Sequence, residues 1–313
     1  MREGDPTGLR SLADSLNSNR TSLYHLGISK DVKRSTISYA NSTRNPEVFE
    51  RLFYKILGTL DRGGRKKFRK DFFAVDATEI SLSINDFPWA EFRSTKGGVK
   101  INMKYDINNS VPDYLFMTNA KEHENNTLDK MRLKRGYTVA IDKGYCNYER
   151  FRSCCDQGIL FVTRLKDNAR YEVVESRRTK SLLVPDDGTI VFTGSQTRKK
   201  CPLELRMVKS IDEKTGKSIV ILTNDFSVSA EYIAKMYRAR WNIEIFFKTL
   251  KQNLEIEKFF GESENAVKAQ IWIALIVYLL YLRLHQLTAF SNMKLSWTDV
   301  SFCHSELDSE TAG

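Results

Sequence analysis

A chain of 313 residues with 41% hydrophobic content is long enough to bury a core, which excludes a wholly disordered polymer. Lys and Arg exceed Asp and Glu by ten and the pI is near 9.2, a balance that suits a polyanion such as nucleic acid better than a small neutral substrate. Five cysteines, odd in number and without C-x-x-C spacing, suggest neither a disulfide framework nor a zinc site, and the polar N-terminus offers no apolar signal segment, so a reducing cytoplasm fits.

Taken in order, Leu9 to Asn17, Arg20 to Leu26 and Ser35 to Asn41 predict three short helices with a turn at Gly27. Such a unit is either helix-turn-helix-like, setting Lys33, Arg34 and Tyr39 on DNA phosphates, or a small helical subdomain that only packs. Glu47 to Leu60 predicts an amphipathic helix, and a basic linker follows from Asp61.

From Lys70 the pattern changes to short runs rich in β-branched and aromatic residues. Phe72 to Val75 predicts an apolar strand running into Asp76; Glu79 to Ile84, Val99 to Ile107 and Tyr114 to Ala120 predict further strands, with a turn at Lys96-Gly97-Gly98. Thr127 to Leu133 reads as helix. Tyr137 to Ile141 reads as a strand ending on Asp142, followed by a helix over Tyr148 to Gln157 and a strand over Ile159 to Leu165. Strands that alternate with helices indicate an α/β layered fold, and both aspartates sit where an apolar strand stops, at the rim where open α/β sheets place their sites.

Between Lys166 and Leu222 the reading is a β-rich insertion: strands over Thr189 to Thr193, Leu203 to Lys209 and Ile219 to Leu222, with turns at Asp186-Asp187-Gly188 and Lys214-Thr215-Gly216. Ala266 to Gln286 predicts a buried core helix. Its apolar centre, Ile271 to Leu282, is shorter than the ~20 residues a bilayer requires, so no membrane partner is expected. The segment from Asn292 to Gly313 is polar, Ser-rich and without period, and reads as a disordered tail.

Tyr237 to Lys251 contains no Gly or Pro and predicts one helix. At about 100° per residue, Tyr237, Arg240, Glu244 and Lys251 fall within roughly 60° of one another, beside an apolar arc of Ile243, Phe246, Phe247, Leu250 and Leu254. Alone, that stripe reads as a solvated face with i,i+4 pairs. Together with Asp76 and Asp142, Glu244 makes a third carboxylate, and three such acids form a cage for Mg²⁺ or Mn²⁺, which prefer hard oxygen ligands. Two ions about 4 Å apart activate a water or a 3′-hydroxyl for phosphodiester displacement, and the four histidines show no metal or triad spacing.

These residues resemble a known family. Asp76 ending Phe-Phe-Ala-Val-Asp, Asp142 in Asp-Lys-Gly-Tyr, and Tyr237-x2-Arg240-x3-Glu244-x6-Lys251 are similar to the DDE transposases of bacterial insertion sequences, specifically the group with a Tyr-Arg-Glu-Lys signature, insertion-sequence family four. The resemblance runs from about Leu9 to Gln286 and includes Lys96 to Lys100 and Phe161 to Lys166. It implies a mixed-sheet, ribonuclease-H-like α/β core with flanking helices, at 63–165 and 223–290. That core is interrupted by the β-rich insertion at 166–222, preceded by a helical DNA-binding region at 1–62 and followed by the tail at 291–313. It further implies two divalent metals on Asp76, Asp142 and Glu244, cut-and-paste transposition through a DNA hairpin, a homodimer on double-stranded DNA with terminal inverted repeats and target DNA, and a nucleoid-associated, bacterial cytoplasmic location. Tyr237, Arg240 and Lys251 would hold phosphates, as would Arg164 and Lys166, and Trp241 beside the stripe either packs or stacks a base. Relatives generally carry a further N-terminal helical segment and a His where Asn102 stands, so a truncated or impaired copy, or a host nuclease or resolvase of the same fold, is the alternative.

Overall fold

The computed structural model describes residues 8–63, 66–68, 71–93, 96–122, 127–213, 215–254, 256 and 258–289. The segment read as a disordered tail lies outside the described residues. In chain order the elements are α1 (Leu9–Ser18), α2 (Arg20–His25), α3 (Arg34–Thr43), α4 (Glu47–Leu57), β1 (Phe72–Leu82), β2 (Glu91–Arg93), β3 (Lys96–Asp106), β4 (Val111–Asn119), β5 (Thr138–Ile141) and α5 (Tyr148–Gln157). There follow β6 (Leu160–Arg164), β7 (Tyr171–Arg177), β8 (Asp186–Phe192), α6 (Ser195–Lys200), β9 (Leu205–Ile211), β10 (Ser218–Thr223), α7 (Ala230–Ala239), α8 (Trp241–Asn253) and α9 (Glu264–Ala289). The class is mixed α/β, a large mixed sheet with helices, as expected from the sequence.

Two compact units divide the chain. The first gathers Met1–Asp61, Glu79–Val99 and Lys248–Gly313. Its three opening helices are those expected from the sequence, and Asn17 ties the turn before α3: its Oδ1 accepts from the Val32 N–H at 2.8 Å while its Nδ2 donates to the Val32 carbonyl at 3.1 Å. Helix α4 buries Phe53 and Leu57 on one face, and Phe53 meets Trp272 of α9 with ring centroids 5.3 Å apart. The apolar run expected to be too short for a bilayer is the centre of a longer helix, since Glu264–Leu287 is long and apolar enough to cross one. Half of that stretch is buried, against partners that include α4 and α3, which makes α9 a core helix. It is not buried all round, however: Ile273, Val277, Leu280, Leu284 and Leu287 are exposed.

The second unit comprises Arg62–Thr78 and Lys100–Phe247. Its strands lie in the order β3-β1-β5-β6-β10-β9-β8-β7, with β4 on β3. β1 and β6 both run parallel to β5, the arrangement that fully apolar strands such as Phe72 to Val75 and Val139 to Ile141 favour. Helix α5 starts where the Asn147 side chain accepts the Glu149 N–H at 3.0 Å and stops at Gly158, whose φ of +66° suits the left-handed C-cap. It packs Phe151 in a stack on Phe161 of β6, centroids 4.8 Å apart, within a core that also holds Phe73, Val75, Val139, Ile141 and Leu222. The β-rich stretch continues this sheet: β10 pairs antiparallel with β6, and β9, β8 and β7 follow antiparallel in turn.

Several local expectations differ from the fold. β1 runs unbroken through Asp76, so Glu79 to Leu82 is a continuation of it; Lys96 and Gly97 lie in β3, paired with β2; and Thr127 to Leu133 holds only one 3-10 turn, closed by Arg132 at φ +51°. Asp186 to Gly188 opens β8 and is not a turn. Gly188 is required there, because a Cβ would meet the Glu175 carbonyl oxygen at 2.8 Å.

Candidate active site

Parallel pairing puts the two aspartates side by side. The register aligns Phe72 with Thr138 and ends with Val75 opposite Ile141, so Asp76 and Asp142 each come one residue beyond the last matched pair. Asp142 is in extended backbone and its carbonyl accepts the Tyr145 N–H at 3.0 Å, closing a 3-10 turn over Lys143–Tyr145 that buries the Tyr145 ring. Asp76 Oδ1 accepts the Ala77 N–H at 2.8 Å, and only 17% of its side chain is exposed. Burial pushes its carboxyl up to about 6; the Ala77 N–H and the Arg240 guanidinium oppose this, while the charges of Glu244 and Asp142 add to it.

The single helix expected over Tyr237 to Lys251 is two. α7, capped by the Ser229 hydroxyl accepting the Tyr232 N–H at 3.2 Å, ends at Ala239, and α8 begins at Trp241. Arg240 occupies the break, where the short i→i+3 bonds Arg240 N–H to Tyr237 O and Ile243 N–H to Arg240 O, each 3.2 Å, replace the regular ladder. Its guanidinium is the hub of the site. Nη2 donates to Glu244 Oε1 at 2.6 Å, and Nη1 lies 3.7 Å from Asp76 Oδ2. The residue is 8% exposed, and its buried Nε has no hydrogen-bond partner among the described residues. Burial disfavours its charge, but pairing with Glu244 prevails and holds its pKa above the ordinary value.

The Tyr237 ring lies 5.8 Å from the guanidinium carbon, and burial raises the pKa of its hydroxyl; Asp142 raises it further while Arg240 and Arg164 oppose. Tyr237, Arg240, Glu244, Asp76, Asp142 and Arg164 therefore share one electrostatic neighbourhood. Among the described residues no three acids stand close enough to hold a metal as they are.

Arg164, at the end of β6, donates to Asp167 at 3.2 Å. Lys166 lines an open cleft of about 420 Å³ with Lys143, Gly144, Asp167 and Asn168, next in sequence to Asp142. Trp241 is 58% exposed and so does not serve as a packed core residue. Other predicted residues fall in the first unit: Lys251, whose Nζ donates to the Glu79 carbonyl at 2.7 Å, and Lys33 and Arg34, exposed at the start of α3. Asn102 is buried, donating to Thr118 Oγ1 at 3.0 Å. Sequence reasoning overlooked Lys143 as part of the cleft, although its place directly after Asp142 was a usable signal, and it overlooked the contact of Arg240 with Asp76.

The family model for the transposase DDE domain matches residues 67–280, a span that holds all three acids and the Tyr237 to Lys251 stretch. The chain belongs to the DDE transposase family. This DDE transposase is an enzyme of the insertion-sequence type, and its relatives agree. It is 33% identical over 266 residues to a transposase designated y4zB of Sinorhizobium fredii, covering 83% of this chain and 74% of the relative. To the transposase of insertion sequence element IS5377 of Geobacillus stearothermophilus it is 31% identical over 271 residues, covering 84% and 70%. To that of IS4SA of Synechocystis it is 26% identical over 256 residues, covering 79% and 70%. Among solved structures the NurA nuclease of Sulfolobus solfataricus aligns with 92% of the transposase and 99% of its own chain, at 10% identity and a TM-score of 0.24, too low to bear on function.

Proposed function

We propose that this transposase cuts and joins DNA strands with Asp76, Asp142 and Glu244 as its catalytic acids, and that these three hold two Mg²⁺ or Mn²⁺ ions. The observation that carries this reading is the pairing of one buried cation, Arg240, with Asp76 of β1 and Glu244 of α8, while the parallel register sets Asp142, at the end of β5, beside Asp76 and within reach of the same charge. The donor set suits such ions: carboxylate oxygens are the hard ligands they prefer, and two of the three acids already face a positive group. When bound, the ions supply an activated water or 3′-hydroxyl and stabilise the leaving oxygen of an in-line phosphodiester displacement.

The chain's own residues do the rest. Tyr237 and Arg240 grip a phosphate at the cut, Arg240 through its two-pronged fork, and Lys251 offers a phosphate a point charge. Arg164 and Lys166 carry the backbone past Asp142, exposed Trp241 stacks a base, and Lys33 and Arg34 contact DNA from the helical region at 1–62. The catalytic domain is assigned to 63–165 with 223–290, and the strands of 166–222 extend it. The overall reaction is cut-and-paste movement through a DNA hairpin, by a homodimer on terminal inverted repeats, in the cytoplasm at the nucleoid. The test is nicking of duplex DNA that carries the element's terminal repeats, with Mg²⁺ or Mn²⁺. Wild type is expected to nick, and Glu244→Gln, Asp76→Ala and Asp142→Ala to lose at least a hundredfold in rate, within the ~10²–10³ that one electrostatic group commonly supplies. Equal nicking by wild type and Glu244→Gln ends this assignment.

A further inference from the structure

Resting on the reading that Asp76, Asp142 and Glu244 hold the metals, we propose that Arg240 is the resident cation of this site in the DNA-free enzyme. Divalent metal then loads fully only when a DNA phosphate draws the guanidinium off Glu244. Three observations meet here. The fork already spans two of the three acids, 2.6 Å from Glu244 and 3.7 Å from Asp76, so it stands where a metal shared by them would be attracted. No three acids among the described residues are at metal-holding spacing with the guanidinium in place. And Nε, buried in a residue only 8% exposed, has no partner among the described residues, which leaves a strong donor unsatisfied until the guanidinium shifts toward an anionic oxygen.

Arginine stays protonated at any working pH, so this exchange is one cation for another and moves no proton. A metal entering beside the fork meets a like charge a few ångströms away in a poorly solvated space. A phosphate that accepts from Nε and one Nη removes that repulsion and frees Glu244. The position of Arg240 between α7 and α8 suits this, because its backbone lies outside the regular ladder of either helix. The consequence is an enzyme whose metal affinity is coupled to DNA, and by linkage DNA affinity is coupled to metal equally.

Mn²⁺ binding to the full chain, followed by loss of the free-ion EPR signal, tests this without cleavage. Titrations are run with and without a duplex of the element's end, with the duplex alone subtracted. Wild type should bind Mn²⁺ about tenfold more tightly with the duplex, within the usual span of coupled sites. Arg240→Gln should show that tight binding without DNA and gain little from adding it, while Arg240→Lys, charged but without a fork, should lie between. Adding Glu244→Gln to either background should abolish the tight phase. The proposal is overturned if wild-type affinity does not respond to DNA, a comparison that needs no variant, or if Arg240→Gln binds Mn²⁺ no more tightly than wild type. If Glu244→Gln leaves Mn²⁺ binding unchanged, the assignment of the metal acids fails instead.

Discussion

A carboxyl placed where Asp76 lies is costly to charge. Burial is the largest cause, the neighbouring charges of Glu244 and Asp142 add to it, and the Ala77 N–H and Arg240 offset only part, leaving the group at about 6. Its ordinary value is 3.8, so the folded chain binds this proton more tightly than the unfolded one. The stability contributed is therefore complete below about pH 3.8 and is lost as pH rises through about 6. At about 1.4 kcal/mol per unit, the metal-free enzyme is expected to lose about 3 kcal/mol from this group across that window. Asp76→Asn should flatten the slope and raise metal-free stability at neutral pH by about 2 kcal/mol, read from urea midpoints at acid and neutral pH. A neutral-pH midpoint below that of wild type would mean that Ala77 and Arg240 outweigh burial. The three acids proposed as catalytic were picked out from the sequence alone, two by their position after apolar runs and one by helical spacing. What joins them was not: the pairing of β1 with β5 and the reach of Arg240 to Asp76 are made by tertiary packing between segments far apart in the chain.

Elements with a strong apolar signature were also legible, β1 and β5 above all, because a strand buried on both faces reads as a continuous apolar run. β7 was missed because it is mostly exposed and carries Glu172, Glu175 and Arg177, and Asp186-Asp187-Gly188 was misread because its two aspartates are held by ion pairs to Lys209, Arg177 and Arg206 that the local sequence does not show. Asp187 and Arg206 are 7% and 4% exposed and form a two-pronged pair at 2.9 and 2.8 Å. The other end of the guanidinium donates to the carbonyls of Asp225 and Val228, at 3.1 and 2.7 Å, just ahead of the Ser229 cap of α7. One residue thus fastens β8 and β9 to the start of the helix that leads to Arg240. Arg206→Met should cost about 3 kcal/mol, the low end for a broken buried pair, since Arg177 at 3.4 Å still faces Asp187. Combining it with Asp187→Leu should recover most of that loss, because no uncompensated charge is then buried. Urea unfolding of the single and double variants measures both; a double variant as unstable as Arg206→Met would assign the cost to the lost carbonyl contacts.

Charge is a property of the whole molecule, and a net charge of +10 gives the proposed DNA complex a salt dependence that can be measured. Each phosphate neutralised by Lys or Arg contributes about −0.9 to the slope of log K against log salt on duplex DNA. Lys143 and Lys166 line the cleft beside Asp142, and if both contact phosphate, the double variant Lys143→Gln with Lys166→Gln should make that slope shallower by about 2. Affinity should fall to a similar degree on element-end and unrelated duplexes, because a phosphate contact carries no base information. Fluorescence anisotropy across a salt series distinguishes the outcomes. An unchanged slope with weakened binding would mean that the lysines act by shaping the cleft they line. A loss confined to the element's end would make the cleft a reader of sequence. The uniform loss, with the smaller slope, is what an electrostatic track leading the DNA backbone past the acids requires.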